Sequence, residues 1–308
     1  MLLREGHRVK ALVYKDDRGV RDLDIEKVTG DILDKSALDE LFDGAEVVFH
    51  LAAIISIKGS RNRHLEKVNV EGTRNIIKSF KDSSLKRLIH FSSIHALVNS
   101  PVDEQMDETR PLATTNPLPY ERTKSSGEKL IREAAKNGID AVVLNPTSII
   151  GPNDYKPSLV GQLLIRLYNR QIPALVPGGY NWVDVRDVCR GAINAMEKGK
   201  SGEGYLLPGH WLSLNELSAT LSQIVQRPTP TLTIPFWLAR LGVPFIGAYY
   251  SMLDQHPLYT SASLDIIRTG SRKIIGEKAR KDLDYKSRPI EETLKDTMEF
   301  FKKENYIR

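Results

Sequence analysis

A doubly wound parallel α/β sheet of Rossmann type, followed by a smaller and mostly helical lobe, is the fold this sequence predicts. Three observations carry the prediction. Short apolar runs alternate with helix-period stretches through the first half of the chain. The rhythm breaks at Gly151, after which Pro152, Pro157, Pro173, Pro177 and the Gly178-Gly179 pair punctuate the sequence. With 308 residues the chain exceeds the usual single-domain size, so one large core with an appended lobe is expected.

The elements follow in order. Strands are predicted over 8–14, 46–52, 87–92 and 140–145, and helices over 36–42, 63–80 and 118–136. Asp187 reads as the N-cap of a helix over 188–198, and a last helix closes the chain over 290–304. The core is assigned to residues 1–150 with 181–204, and the substrate lobe to 151–180 with 205–308. No flexible linker separates them, so a cleft between packed lobes is expected. Residues 2–9 read as the end of a first helix running into the second strand. A dinucleotide site normally opens on a strand and a glycine-rich turn feeding a helix, and neither is present upstream. The sheet is therefore expected to lack its first strand and its phosphate-binding glycine loop, as an N-terminal truncation would.

Composition narrows the classes. Hydrophobic residues at 41% and charged residues at 27% are ordinary for a globular chain. The net charge of +5 comes from 44 basic and 39 acidic residues scattered along the sequence. No basic stripe alternates with aromatics, so no nucleic-acid partner is expected. Cys189 is the single cysteine, which excludes an intrachain disulfide and fits a cytoplasmic location. Residues 1–6 are too quickly charged for a signal peptide. The apolar stretch 232–253 is interrupted by Pro235, Arg240 and Pro244, so it reads as a partly exposed helix lining a pocket rather than a membrane span. No histidine–carboxylate spacing suits a metal.

The chemistry shows at Tyr120-Glu-Arg-Thr-Lys124. With Pro119 opening a helix, the phenol and the ammonium lie one turn apart on the same face. A phenol with a pKa of about 10 is a poor base at neutral pH, and a neighbouring ammonium pulls that value down. Such a pair can pass a proton to or from a carbinol oxygen while a hydride moves. Upstream, an apolar strand ends in Ser92-Ser93, and strand ends are where ligands sit in parallel sheets. The Ser93 hydroxyl there can hydrogen-bond a substrate oxygen. His95 is a further candidate to face the pocket, whereas His50 and His90 sit in apolar strands and read as core.

These residues and their order resemble the extended short-chain dehydrogenases/reductases of the NAD-dependent epimerase/dehydratase superfamily, over essentially the whole chain. Gly30-Asp31-Ile32 resembles the segment whose acid contacts adenine. Leu51-Ala52-Ala53 resembles the strand end beside the cofactor, and Asn69-Val-Glu-Gly-Thr73 the Asn-x-x-Gly-Thr helix. Asn145-Pro146-Thr147-Ser148 through Gly151-Pro152 resembles the stretch that meets the nicotinamide, with Asn145 where an arginine is usual. Residues 179–187 are similar to the bacterial branch related to dihydroflavonol 4-reductases and 3β-hydroxysteroid dehydrogenases. The resemblance implies NAD or NADP as cofactor, Ser93, Tyr120 and Lys124 as catalytic residues, and Tyr120 and Lys124 also at the nicotinamide ribose. Lys15 and Arg18, just past the strand that reaches the adenosine ribose, favour NADP, although Asp16 beside them suits NAD. The resemblance also implies a small carbonyl or alcohol substrate and a homodimer through helices 63–80 and 118–136. A nucleotide-sugar epimerase or dehydratase, and a non-catalytic cofactor sensor, remain open as alternatives. Trp182, Trp211, Phe236, Trp237, Tyr249 and Tyr250 suit an apolar or aromatic substrate without naming one.

Overall fold

A computed structural model describes residues 1–55, 63–116, 118–252 and 260–308, with backbone only for 245–252. The chain opens on a short 3₁₀ turn (Leu2–Glu5) that ends at Gly6, whose φ of 85° suits glycine. β1 (Lys10–Val13) and β2 (Glu26–Thr29) then pair in parallel, with Lys10 opposite Glu26 and ion-paired to it at 2.8 Å. Asp34 caps α1 (Lys35–Phe42) by accepting the Ser36 N–H. After β3 (Val47–His50) come α2 (Arg63–Glu66), a π-helical turn (Lys67–Gly72) and α3 (Thr73–Lys81). β4 (Arg87–Phe91) leads to α4 (Pro119–Lys136) and then β5 (Ala141–Pro146).

The second half holds β6 (Ser148–Ile150), α5 (Leu159–Tyr168), β7 (Gly179–Asp184) and α6 (Val185–Lys198). β8 (Gly204–Leu207), β9 (His210–Ser213) and α7 (Leu214–Val225) follow. α8 (Phe236–Met252), α9 (Ser261–Thr269), α10 (Glu277–Leu283) and α11 (Ile290–Lys303) complete the lobe.

The main sheet runs β3-β4-β5-β8, all parallel. Period-two alternation splits its side chains between two cores. Val48, Leu88 and Val143 pack under α1, α3 and α4 with Leu38, Ile76 and Ile131. Ile89, Val142 and Leu144 face the other way, onto Val188 and Ala192 of α6 and Leu283 of α10. The fold is thus the doubly wound Rossmann-like class that the sequence predicts. β1 and β2 form a separate two-stranded sheet, and among the described residues no strand joins it to β3. Packing holds the pair instead: Leu12 leans on the α1 side of the core, and a Cβ at Gly30 would meet Ala37 of α1 at 2.4 Å.

The lobe is built on a third sheet, β6-β7-β9, in which β7 is parallel to β6 and antiparallel to β9. Sequence reading places Gly178-Gly179 in a loop, yet Gly179 begins β7. A Cβ there would sit 2.1 Å from the Leu212 carbonyl oxygen, so this glycine marks close strand pairing rather than a turn. β8 pairs with β5, so the core runs to Leu207 and the boundary expected at 204 falls inside its last strand. The apolar stretch also differs from expectation. Phe236, Ala239 and Val243 of α8 pack into the lobe core, while Trp237, Leu238 and Leu241 stay exposed. Among the described residues no helix is long and apolar enough to cross a membrane.

Helix α6 starts three residues earlier than Asp187 predicts, because Asp184 is its cap. The Asp184 carboxylate is fully buried and accepts from the Arg186 N–H at 2.7 Å and from the Arg186 guanidinium at 2.7 and 3.0 Å. Asp187 turns instead to Arg288 at 2.8 Å, and Arg186 reaches Asp296 of α11 at 2.5 Å. Burial alone would raise the Asp184 pKa, but the Arg186 hydrogen bonds outweigh it and hold the group below its ordinary 3.8. Its contribution is therefore present above pH 3.8 and lost as pH falls through the lower folded value. Asp184→Ala is expected to cost about 3 kcal/mol at neutral pH, combining a lost cap with a broken buried pair. Urea unfolding measures it, and a loss within error of zero would show that the network contributes nothing.

Candidate active site

The C-terminal end of β4 carries the chain to Ser92 and Ser93, and Ser93 caps the 3₁₀ turn Ile94–Ala96 by accepting the His95 N–H at 3.2 Å. Asn145, at the end of β5, fixes this segment by donating to the Ser93 carbonyl at 3.1 Å. The same amide reaches the wholly buried Glu128 of α4 at 2.7 Å, so strand end and helix are tied together. Sequence reading noted Asn145 only as a departure at an arginine position. Its partner Glu128 lies eight residues past Tyr120 on α4, a helical repeat that could have flagged it.

Pro119 starts α4 and places Tyr120 beside the turn that Ser93 caps, its ring packed edge-on to His95 at 6.1 Å between centroids. Lys124, only 6% exposed, donates from Nζ to the Phe91 carbonyl at 2.7 Å. Ser93, Tyr120 and Lys124 thus lie near one another at the end of β4, with electrostatics that differ from the expectation. Burial raises the Tyr120 pKa above its usual 10, the Glu121 charge adds to that, and the Ser93 hydroxyl opposes it. Lys124 does not depress the phenol, because its ammonium is turned onto a backbone carbonyl. Burial lowers Lys124 itself to about 8, against the pull of Glu128.

The residues expected along the cofactor are distributed as follows. Asn69 sits in the π-helical turn, a distortion common at functional sites. Its Oδ1 accepts the Ile54 N–H at 2.7 Å, and its Nδ2 donates to the Ile54 carbonyl at 3.0 Å and to Thr123 of α4 at 3.1 Å. Asn69 therefore clamps the backbone that follows Leu51, Ala52 and Ala53, of which Leu51 and Ala52 are exposed at the end of β3. Asp31 accepts the Leu33 N–H at 2.9 Å. Ile32 turns its side chain into the core against Gly72, so only its backbone is free to meet a ligand. Past β1, Lys15 lies over the Tyr14 ring at 4.8 Å, while Arg18 is engaged by Asp16 at 2.5 Å. Pro146 is buried, Thr147 donates to Asn181 at 2.9 Å, and Ser148 faces a cleft.

That cleft lies where the core strand ends meet the lobe, and His95, Ser148, Tyr180 and Ile266 are among its walls. His95, a pocket candidate from sequence, does face it. Glu121 was missed although it sits inside the Tyr-x-x-x-Lys segment: it is 4% exposed and lies 3.3 Å from His95 Nδ1. Behind Lys124, His50 and His90 are register partners on β3 and β4 with ring centroids 4.9 Å apart. Both are buried, as the sequence reading expects. The Ser93–Tyr120–Lys124 set suits the nicotinamide-ribose end of a dinucleotide. Among the described residues no glycine turn between a strand and a helix stands ready to cradle a pyrophosphate.

Residues 1–207 match the NAD dependent epimerase/dehydratase family. The chain belongs to this family. Relatives within reach include a putative dihydroflavonol 4-reductase of Synechocystis sp., 31% identical over 318 residues and covering 100% of this chain and 91% of the relative. Sterol demethylase protein B of Methylococcus capsulatus is 31% identical over 236 residues, covering 76% and 72%. Among solved structures, that of gox2253 superposes with a TM-score of 0.85 at 27% identity, covering 100% and 94%. A nucleoside-diphosphate-sugar epimerase from Pseudomonas aeruginosa has a TM-score of 0.79 at 20% identity, covering 100% and 93%, and shares the fold. The family resemblance read from the sequence is therefore borne out. As a member of the NAD dependent epimerase/dehydratase family, the chain is an NAD(P)-dependent oxidoreductase.

Proposed function

We propose that this chain reduces a carbonyl or oxidises a secondary alcohol, with Ser93, Tyr120 and Lys124 managing the substrate oxygen and its proton. One observation carries the reading: the first turn of α4 sets Tyr120 beside the Ser93 turn at the C-terminal end of β4, with Lys124 buried one helical turn on and bonded to the Phe91 carbonyl. Relatives named as reductases support the same direction.

Desolvation and the Glu121 charge keep the Tyr120 phenol protonated, so in reduction it is a donor waiting on the carbonyl oxygen. Ser93 Oγ holds that oxygen and steadies the charge that develops on it. Lys124 Nζ, lowered by burial to about 8, keeps its proton at neutral pH. Tyr120 and Lys124 would hold the nicotinamide ribose, and Thr147 and Ser148 would border the nicotinamide. Asp31 and the Ile32 backbone would meet the adenine, with Lys15 and Arg18 toward the adenosine ribose. When bound, the nicotinamide supplies or accepts the hydride.

The reading is tested by following net oxidation of NADPH with a panel of aryl and alicyclic ketones. Interconversion of nucleotide sugars without net turnover would replace it with the epimerase chemistry of the same family. Cofactor preference is tested alongside by calorimetric titration of NADPH and NADH. NADPH is expected to bind more tightly because Lys15 is exposed and among the described residues has no carboxylate partner, while Asp16 is already paired to Arg18. A clear preference for NADH would sink that assignment. Affinity for both is expected to be weak, since nothing among the described residues cradles the pyrophosphate.

A further inference from the structure

Glu128 is a fully buried carboxylate in the middle of α4 that the proton relay does not use. Two side chains hold it. Arg132, one turn on, donates from Nε at 2.8 Å and places Nη2 2.7 Å from the same oxygen, Oε1, while Asn145 of β5 donates from Nδ2 to Oε2 at 2.7 Å. Gly204 at the start of β8 leaves room for that guanidinium, since a Cβ there would sit 2.6 Å from its Nη2. A buried ion pair of this kind is a weak stabiliser, and an apolar side chain of similar volume often serves as well. What the carboxylate is joined to points to another role. The Asn145 amide that it holds also donates to the Ser93 carbonyl at 3.1 Å. Lys124, one turn before Glu128 on the same helix face, donates to the Phe91 carbonyl at 2.7 Å. Two carbonyls at the end of β4, on either side of Ser92, are thus tied to one turn of α4.

We infer that Glu128 is a positioning residue of this site, holding the Ser93 strand end through Asn145 and steadying the Lys124 ammonium across one helical turn. The inference rests on the carbonyl-reductase reading and adds to it a residue that touches neither substrate nor cofactor. The electrostatics agree. Burial pulls Lys124 down to about 8, and the Glu128 charge is what resists it. The other titratable groups around the ammonium do not take that part. His50 of β3 and His90 of β4, behind it, are kept neutral by burial. Tyr120 stays protonated at neutral pH, and Glu121 lies against His95 at 3.3 Å. Arg132 is a cation, so its charge works against that of Lys124. Without the Glu128 charge, Lys124 loses its proton at a lower pH, and reduction is lost as pH rises through that value.

Glu128→Gln, which keeps the shape and removes the charge, tests it. The Lys124 ammonium is followed by NMR of the full chain with isotope-labelled lysine side chains, its signal assigned by its absence from Lys124→Met. It is expected to titrate at about 8 in the parent and at about 7 or below in Glu128→Gln. The alkaline limb of kcat for ketone reduction should move down with it. Asn145→Ala separates the two arms: a displaced Ser93 should lower kcat by about 10- to 100-fold while the Lys124 titration stays where it is. Glu128→Asp, which keeps the charge but draws it back by one methylene, should restore part of both. Thermal melting shows which variants fold. An unmoved Lys124 titration in folded Glu128→Gln overturns the inference, as does the parent's kcat in folded Asn145→Ala. If Glu128→Gln does not fold, Glu128→Asp is judged in its place, and there an unmoved titration together with the parent's kcat overturns it. If the Lys124 titration moves but no ketone is reduced, the proposed reaction fails and the hold of Glu128 on Lys124 stands.

Discussion

Tyr120→Phe is expected to lower turnover by about 10²–10⁴-fold, the usual loss when a positioned proton donor is removed. Cofactor affinity is expected to fall far less, since Lys124 still holds the nicotinamide ribose. The phenyl ring keeps its packing against His95, and Ser93 and Lys124 keep their own anchors on the backbone, His95 N–H and Phe91 carbonyl respectively. Only the hydroxyl between Ser93 and the substrate oxygen disappears. The measurement is kcat with a saturating ketone, beside calorimetric binding of NADPH to the same variant. Activity near that of the parent would remove Tyr120 from the mechanism. A loss of cofactor affinity as large as the loss of turnover would instead make binding its whole role.

The second large effect is on stability. His50 and His90 are buried side by side between β3, β4 and the helices above them. Burial, then the charge of Lys124, lowers His50 to about 3. Burial, His50 and Lys124 lower His90 well below its ordinary 6.5. His50 is at least bonded to Thr73 at 2.9 Å, whereas neither nitrogen of His90 has a partner. In the unfolded chain both rings take up a proton below pH 6.5, and in the folded chain they do not. Stability is therefore intact above pH 6.5 and falls steadily as pH drops toward the folded values. At pH 5 each histidine costs on the order of 2 kcal/mol. His90→Leu should hold or raise stability at pH 7, since it removes two unsatisfied nitrogens, and should recover about 2 kcal/mol of the loss at pH 5. Urea midpoints at the two pH values check it. A variant that loses as much as the parent on acidification would place the acid sensitivity elsewhere.

What was legible in the sequence was local. The order of strands and helices in the core, the strand-end serines and the phenol–ammonium pair all follow from periodicity and from positions within a few residues of each other. What was hidden depends on chain segments meeting. Glu121 touches His95 from 26 residues away in sequence, and Lys124 spends its charge on a backbone carbonyl, which no side-chain pattern announces. Two aspartates three residues apart could each have capped α6, and only the location of Arg288 on the following lobe decides that Asp187 is occupied elsewhere. The antiparallel β7–β9 pair was missed because its glycine looks like a loop until Leu212 is seen against it.

The division of the core into two sheets also has a consequence for how the chain behaves among its own kind. β1 is bonded only to β2, and β3 only to β4, so each leaves a row of backbone donors and acceptors without a strand beside it among the described residues. Tyr14 and Leu51, two of the exposed large apolar side chains, follow directly on those strands. An open edge next to exposed apolar groups is a template on which a further extended segment can grow.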